Sequence, residues 1–283
     1  MRVTVFGVTG QVAHELARRA PGDISVEALG RAEVDFFDTD AVRRATGALS
    51  SDAIINAAAY TAVDTAEAER DRAETVNGAS VDAMAQARGA IPLVHISTDY
   101  VFSGEGETPW RPGDPTAPQG VYGASKLIGE TALRRSAGPY AILRTSWVFG
   151  AKGGNFVKTM LRLGAARDRL TIVADQVGGP TPAASIADAC FDIARALKDG
   201  HAGGTYHFSG APDVSWADFA REIFTQSGRA TDVVNIPTTD YPTPAKRPLN
   251  SRLDCTDTER DFGIPRPDWR AGLGDVLKEI GAI

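Results

Sequence analysis

The chain has 283 residues, 43% of them hydrophobic, enough to bury a full core as one large or two small domains. Lys plus Arg number 30 against 36 Asp plus Glu, a formal charge of -6, so no net-positive field draws it to nucleic acid or an acidic membrane. No apolar run approaches the ~18 residues that cross a bilayer. Cys190 and Cys255 stand far apart, and His14, His95, His201 and His207 lack ligand spacing, so neither a disulfide framework nor a metal site is expected.

The start, Met1-Arg2-Val3-Thr4-Val5-Phe6-Gly7, reads as a strand rather than a signal peptide, and the expected location is the cytoplasm. Strand-like 3–6 leads to helix-like 11–20, strand-like 24–29, helix-like 39–50, strand-like 53–57, helix-like 66–87 and strand-like 93–97. This alternation predicts an α/β fold, a doubly wound parallel sheet with helices on both faces. Ala53-Ile54-Ile55 and Pro92-Leu93-Val94 lack polar alternation and fit central strands buried on both sides. Residues 103–120, with Pro109, Pro112, Pro115 and Pro118, form a long loop into a helix over 122–135 and a strand at 141–144. Beyond residue 150 come helix-like 156–166, strand-like 170–173, helix-like 183–197, strand-like 205–208 and helix-like 216–227, then a Pro-rich stretch at 237–248 and a short helical end. The expectation is a dinucleotide-binding domain over 1–150 and a smaller substrate-binding lobe over 151–283 that returns one strand, about 205–208, to the first sheet.

Gly7-Val8-Thr9-Gly10-Gln11-Val12-Ala13 follows the first strand and opens the first helix. Small residues there let the backbone approach a pyrophosphate, and the helix start offers free N–H groups. The spacing is Gly-x-x-Gly-x-x-Ala, looser than Gly-x-Gly-x-x-Gly; any tight turn wants glycine, but this position favours a cofactor site at Gly7, Gly10, Gln11 and Val12. The second strand ends in Leu29-Gly30-Arg31 with no acid at its tip, which favours NADPH; Glu33 lies close enough for NADH to be tolerated. Asp35 and Phe36 are placed to flank an adenine, and Ala59, Tyr60 and Thr61 to meet the cofactor from the third strand.

In a parallel sheet ligands collect at the carboxyl ends of the strands, where the fourth delivers Ser97, Thr98 and Asp99. Tyr122 and Lys126, four apart, share a helix face. A lysine ammonium beside a phenol is expected to lower its pKa from about 10 toward neutrality, as an acid-base group requires. Tyr122 then protonates a carbonyl oxygen as a nicotinamide delivers hydride to the carbon. A Tyr-x-x-x-Lys spacing alone also fits an exposed helix face; the conjunction with the glycine turn and the strand-end hydroxyl carries the reading.

The chain resembles the extended short-chain dehydrogenase/reductase family of Rossmann type, in its branch of sugar-nucleotide reductases. The likeness runs through Phe6-Gly7-Val8-Thr9-Gly10-Gln11, Asn56 to Asp64, Ser97-Thr98-Asp99-Tyr100-Val101-Phe102, Tyr122-Gly123-Ala124-Ser125-Lys126, Arg144-Thr145-Ser146-Trp147-Val148 and Arg247-Pro248-Leu249-Asn250-Ser251. It implies NADPH-dependent reduction of the 4-keto group of a dTDP-linked 4-keto-6-deoxyhexose. It also implies Tyr122 as catalytic acid, Lys126 on the nicotinamide ribose, Thr98 as supporting hydroxyl, Thr98 and Asp99 on the sugar, and Trp147 lining the substrate pocket. Trp147 reads equally as a packed aromatic at a strand end. Lys246, Arg247 and Arg252 fit a diphosphate or a solvated crossing. Some relatives are implied to dimerise through a magnesium ion held by glutamates; Glu15 matches, but Pro182-Ala183-Ala184-Ser185-Ile186 offers no carboxylate, so a monomer or a homodimer without that metal is expected. Another nucleotide-sugar ketoreductase or epimerase, and a nucleotide-binding regulatory protein without turnover, are the competing readings.

Overall fold

The computed structural model describes residues 1–283. In chain order the first half comprises β1 (Arg2–Phe6), α1 (Gln11–Arg19), β2 (Ser25–Leu29), α2 (Thr39–Gly47), β3 (Ala53–Asn56), α3 (Val63–Ala66), α4 (Arg70–Glu74), α5 (Ser80–Ala87), β4 (Leu93–Thr98), α6 (Val121–Arg135) and β5 (Tyr140–Thr145). The second half holds β6 (Val148–Phe149), α7 (Phe156–Gly164), β7 (Arg169–Val173), β8 (Val177–Gly178), β9 (Thr181–Pro182), α8 (Ala183–Lys198) and β10 (Gly203–His207). It closes with β11 (Val214–Ser215), α9 (Trp216–Gln226), β12 (Asp232–Ile236), β13 (Asn250–Ser251), α10 (Thr256–Phe262) and α11 (Trp269–Glu279).

The main sheet has six strands in the order β10-β5-β4-β3-β1-β2, every pair parallel. All four residues of β3 are buried, as a strand covered on both faces requires. On one side α1 and α8 pack against Val3, Val5, Ile55 and Val94; on the other Phe6, Ile54, Leu93 and Ile142 meet Val42, Met84 and Leu133. The chain winds outward from β1 to β2 and then crosses to β3 on the opposite side of β1, so the strand order reverses there and a crevice opens at the carboxyl ends. Gly7 sits at that reversal with φ +113°, and a Cβ on it would stand 3.2 Å from the Ala57 and Ala58 backbone, a place for glycine alone. A third apolar cluster, built on Phe219, Trp269, Leu273 and Val157, joins α7, α9 and α11 into the second lobe.

The continuous helix expected over 66–87 is instead broken into α3, α4, a π-helical turn at Thr75–Ala79, and α5. The wide turn aims Asn77 inward: its Oδ1 accepts the Tyr60 N–H at 2.8 Å and its Nδ2 donates to the Tyr60 carbonyl at 3.0 Å and the Ser125 hydroxyl at 2.9 Å. One buried amide thus fastens the loop after β3 to α6, an arrangement that a regular 3.6-residue repeat does not present. The strand β12, paired with β7, lies in a stretch without strong apolar patterning and was not expected.

Candidate active site

The crevice encloses about 560 Å³ between Gly7 to Gly10, the tip of β2 and the segment from Ala57 to Thr61. Helix α1 begins at Gly10 without a side-chain cap, and its first main-chain bond is His14 N–H to the Gly10 carbonyl, so the preceding amides are free for an anion. Of the residues singled out from sequence, Gly7, Gly10, Arg31, Asp35, Phe36, Ala59, Tyr60 and Thr61 line this crevice. The side chains of Gln11 and Val12 do not. Gln11 accepts from Asn155 Nδ2 at 2.9 Å, and Val12 packs into the core, which leaves them only main-chain N–H groups to offer. Phe36 borders the crevice but packs edge-on to Phe6 at 5.8 Å, while its neighbour Phe37 carries the Arg31 guanidinium at 5.1 Å and that of Arg72 at 4.8 Å. Arg72, from α4, escaped the sequence reading because it is 41 residues from Arg31 and carries no motif. Glu33, the acid nearest the tip, accepts the Gly30 N–H at 2.8 Å and is engaged by the main chain. Small residues, free amides and two guanidiniums suit a dinucleotide carrying a 2′-phosphate.

Beyond it a second cavity of about 640 Å³ separates the sheet from the second lobe. Trp147, the one non-glycine residue with positive φ, at +49°, lines it and stacks on Trp216 with ring centroids 3.6 Å apart. Trp216 donates from Nε1 to Gln176 Oε1 at 3.1 Å. Tyr100, Arg167, Arg169, Tyr241, Arg247 and Ser251 complete much of the remaining wall. Arg247 pairs with Asp64 at 2.7 Å through Nη2, while its buried Nη1 has no partner. Lys246 and Arg252 do not line the cavity; Arg252 donates to Asn250 Oδ1 at 3.0 Å.

Tyr122, Lys126, Thr98 and Asp99 form neither cavity's wall and lie beneath, with the Tyr122 ring edge-on to Tyr100 at 5.5 Å. Glycine at 123 lets α6 press directly on the Tyr100 carbonyl and brings those rings together. Thr98 donates to Asp99 Oδ1 at 3.1 Å and accepts the Tyr100 N–H at 3.2 Å. Burial pushes Asp99 up to about 6. Loss of water also pushes Tyr122 up to about 12, drawn partway back by the nearby Thr98 hydroxyl. The expected lowering of the Tyr122 pKa by Lys126 is therefore reversed. Burial lowers Lys126 to about 8, and its Nζ donates to the Ile96 carbonyl at 2.7 Å and lies 3.4 Å from His95 Nε2. Loss of water, with the Asp99 carboxylate acting in the same direction, leaves a neutral phenol, the form that can give up a proton.

Below the strand end Glu130 is buried in a fork with Arg144, Nη2 to Oε2 at 2.7 Å and Nε to Oε1 at 2.9 Å, and accepts the Ser97 hydroxyl at 2.6 Å. This anchors α6 to β4 and β5 one residue from Thr98. Helix α11 brings Glu279 to His14 and Glu15 of α1, a carboxylate that 182–186 does not offer; Arg18 bridges both acids at 2.7 and 3.2 Å. No helix is long and apolar enough to cross a membrane.

A six-stranded parallel sheet, a glycine turn at its strand reversal and a strand-end Thr with a Tyr-Lys helix above it define an extended short-chain dehydrogenase/reductase. The family described as "RmlD substrate binding domain" matches residues 1–282, and the chain belongs to it. The dTDP-4-dehydrorhamnose reductase of Escherichia coli K12 is 40% identical over 99% of this chain and 98% of its own length. A crystal structure of a dTDP-4-dehydrorhamnose reductase from Clostridium acetobutylicum superposes with a TM-score of 0.93 at 34% identity, covering 99% of this chain and 100% of that one. The Bacillus anthracis dTDP-4-dehydrorhamnose reductase, solved in complex with NADP, gives 0.91 at 34% identity over 98% and 99%.

Proposed function

We propose that this protein is an NADPH-dependent oxidoreductase that reduces the 4-keto group of dTDP-4-dehydrorhamnose to give dTDP-L-rhamnose in the cytoplasm. The observation that carries the reading is the conjunction of Thr98 at the end of β4 with Tyr122 and Lys126 on α6, in a fold that also holds a dinucleotide crevice and an aromatic cavity, in a chain 40% identical to a reductase of that name.

The amides at the start of α1 hold the pyrophosphate, and Arg31 and Arg72 hold the 2′-phosphate. NADPH when bound supplies the hydride. Lys126 orients the nicotinamide ribose, Thr98 and Asp99 fix the sugar, and Trp147 with Trp216 closes the cavity over it. Thr98 also aligns the substrate's C4 oxygen with the Tyr122 hydroxyl, which gives it a proton; positioned transfer of this kind contributes about 100- to 10,000-fold. Arg247 Nη1, buried without a partner, is a candidate donor to the diphosphate.

Purified protein given dTDP-4-dehydrorhamnose should deplete NADPH absorbance and yield dTDP-L-rhamnose by NMR. Unchanged absorbance beside an active reductase control removes the reading, and a product epimeric at C4 assigns a different nucleotide-sugar ketoreductase.

A further inference from the structure

His95 lies under the active site, fully buried at the centre of β4, and the mechanism above gives it no task. Its two ring nitrogens face different partners: Nδ1 stands 3.0 Å from Asn56 Nδ2, on β3, and Nε2 stands 3.4 Å from Lys126 Nζ, on α6. A neutral imidazole carries one N–H, and which nitrogen bears it follows from the neighbours. Asn56 Oδ1 accepts the Ala58 N–H at 3.1 Å, so the other end of that amide, turned to the imidazole, is the NH₂. Nδ1 must then accept, and the proton resides on Nε2, pointing at Lys126.

We propose that His95 is a positioning residue for Lys126: locked by Asn56 with its proton on Nε2, it turns an N–H toward the lysine nitrogen and so favours the amine over the ammonium. An amine uses one N–H for the Ile96 carbonyl, 2.7 Å away, and its lone pair accepts from His95. An ammonium has no lone pair and meets the imidazole N–H head on. The ribose hydroxyls of a bound cofactor add acceptors and return the advantage to the ammonium, so the lysine takes up its charge when the nicotinamide is in place. Burial acts in the same direction, lowering Lys126 to about 8 and holding His95 well below its ordinary value, hence neutral.

The other ionisable group that acts on Lys126 is Glu130, on its own helix, where Tyr122 stands one turn earlier. Burial alone would raise Glu130, but Arg144 of β5, with Ser97 and Arg134, outweighs it and keeps the carboxylate charged. Asn56, Asn77 and Ser125 are neutral. His95 is thus the one neighbour whose hydrogen-bond polarity can be inverted without adding a group.

The inference rests on the proposed role of Lys126 in turnover, but its first test does not. Nitrogen-15 NMR of histidine-labelled protein, with only four histidines to resolve, should show His95 neutral between pH 6 and 9 with its proton on Nε2. A proton on Nδ1, or an imidazolium, overturns the proposal. The second test is Asn56→Asp, isosteric and still able to accept from Ala58. A carboxylate cannot donate to Nδ1, so the imidazole flips its proton to Nδ1 and presents a lone pair to Lys126. The basic limb of the kcat profile should then move upward by roughly one pH unit, with KM for the sugar nucleotide unchanged; a limb that stays or moves down overturns the proposal. Absence of turnover in the unmodified protein would sink the proposed reaction and leave the NMR result standing on its own.

Discussion

Replacing Tyr122 by Phe removes one oxygen from the centre of the site, and the structure separates what that does to stability from what it does to rate. The phenol oxygen lies near the Thr98 hydroxyl, and the ring keeps its edge-on contact with Tyr100 at 5.5 Å. A polar contact of that kind is worth at most about 0.5–1.5 kcal/mol, and desolvation of the oxygen returns part of that. For a chain of this length the melting temperature should fall by less than about 4 °C. The barrier is another matter: loss of a positioned proton donor slows reduction by about 100- to 10,000-fold, roughly 3–5 kcal/mol. The variant should therefore melt near the parent, bind NADPH as tightly, and show a kcat reduced by at least about 100-fold in an assay of NADPH consumption. A kcat within about threefold of the parent would refute Tyr122 as the proton donor. So would a loss that tracks weakened NADPH binding, since that assigns the residue to the cofactor.

Glu130→Ala strands the buried Arg144 guanidinium and frees Ser97; a loss of about 3–5 kcal/mol in urea unfolding is expected, and a midpoint unchanged from the parent would show that the fork bears no part in stability. Arg31→Ala and Arg72→Ala should each weaken NADPH by about tenfold in calorimetric titration and leave NADH unaltered; equal losses for both dinucleotides would assign the arginines to the adenine instead of the 2′-phosphate. Asp99 has a folded-state pKa raised from 3.8 to about 6, so the native state holds its proton longer than the unfolded chain and loses stability as pH climbs through that window. Asp99→Asn should accordingly stabilise the protein by up to about 3 kcal/mol at pH 8 and by little at pH 4 while lowering activity; a gain equal at both pH values would contradict the burial effect.

The layout of the main sheet was legible because buried parallel strands are written as unbroken apolar runs and the glycine turn marks the first crossover. The pair Tyr122 and Lys126 was legible because helical spacing alone places both on one face. Their electrostatics were not: which of charge attraction and loss of water prevails at Tyr122 depends on burial, and no local pattern encodes that. Asn77 and Arg72 were hidden for a related reason, since a π-turn and a contact across 41 residues have no signature of their own. Phe36 and Phe37 both border the crevice, and only packing separates them: Phe36 leans back on Phe6 while Phe37 carries the two guanidiniums. The histidine spacing excluded a metal site at His95 but could not show its partners, because Asn56 and Lys126 reach it from another strand and from a helix.

The central claim is that hydride passes from NADPH to the C4 carbon of a nucleotide-linked keto sugar while the chain protonates the oxygen. Incubation of the protein with dTDP-4-dehydrorhamnose and NADPH carrying deuterium on both hydrogens of the nicotinamide C4 tests it in one NMR spectrum. Deuterium at C4 of dTDP-L-rhamnose is the predicted result; deuterium at another carbon, or a sugar recovered unreduced with the NADPH intact, would contradict it.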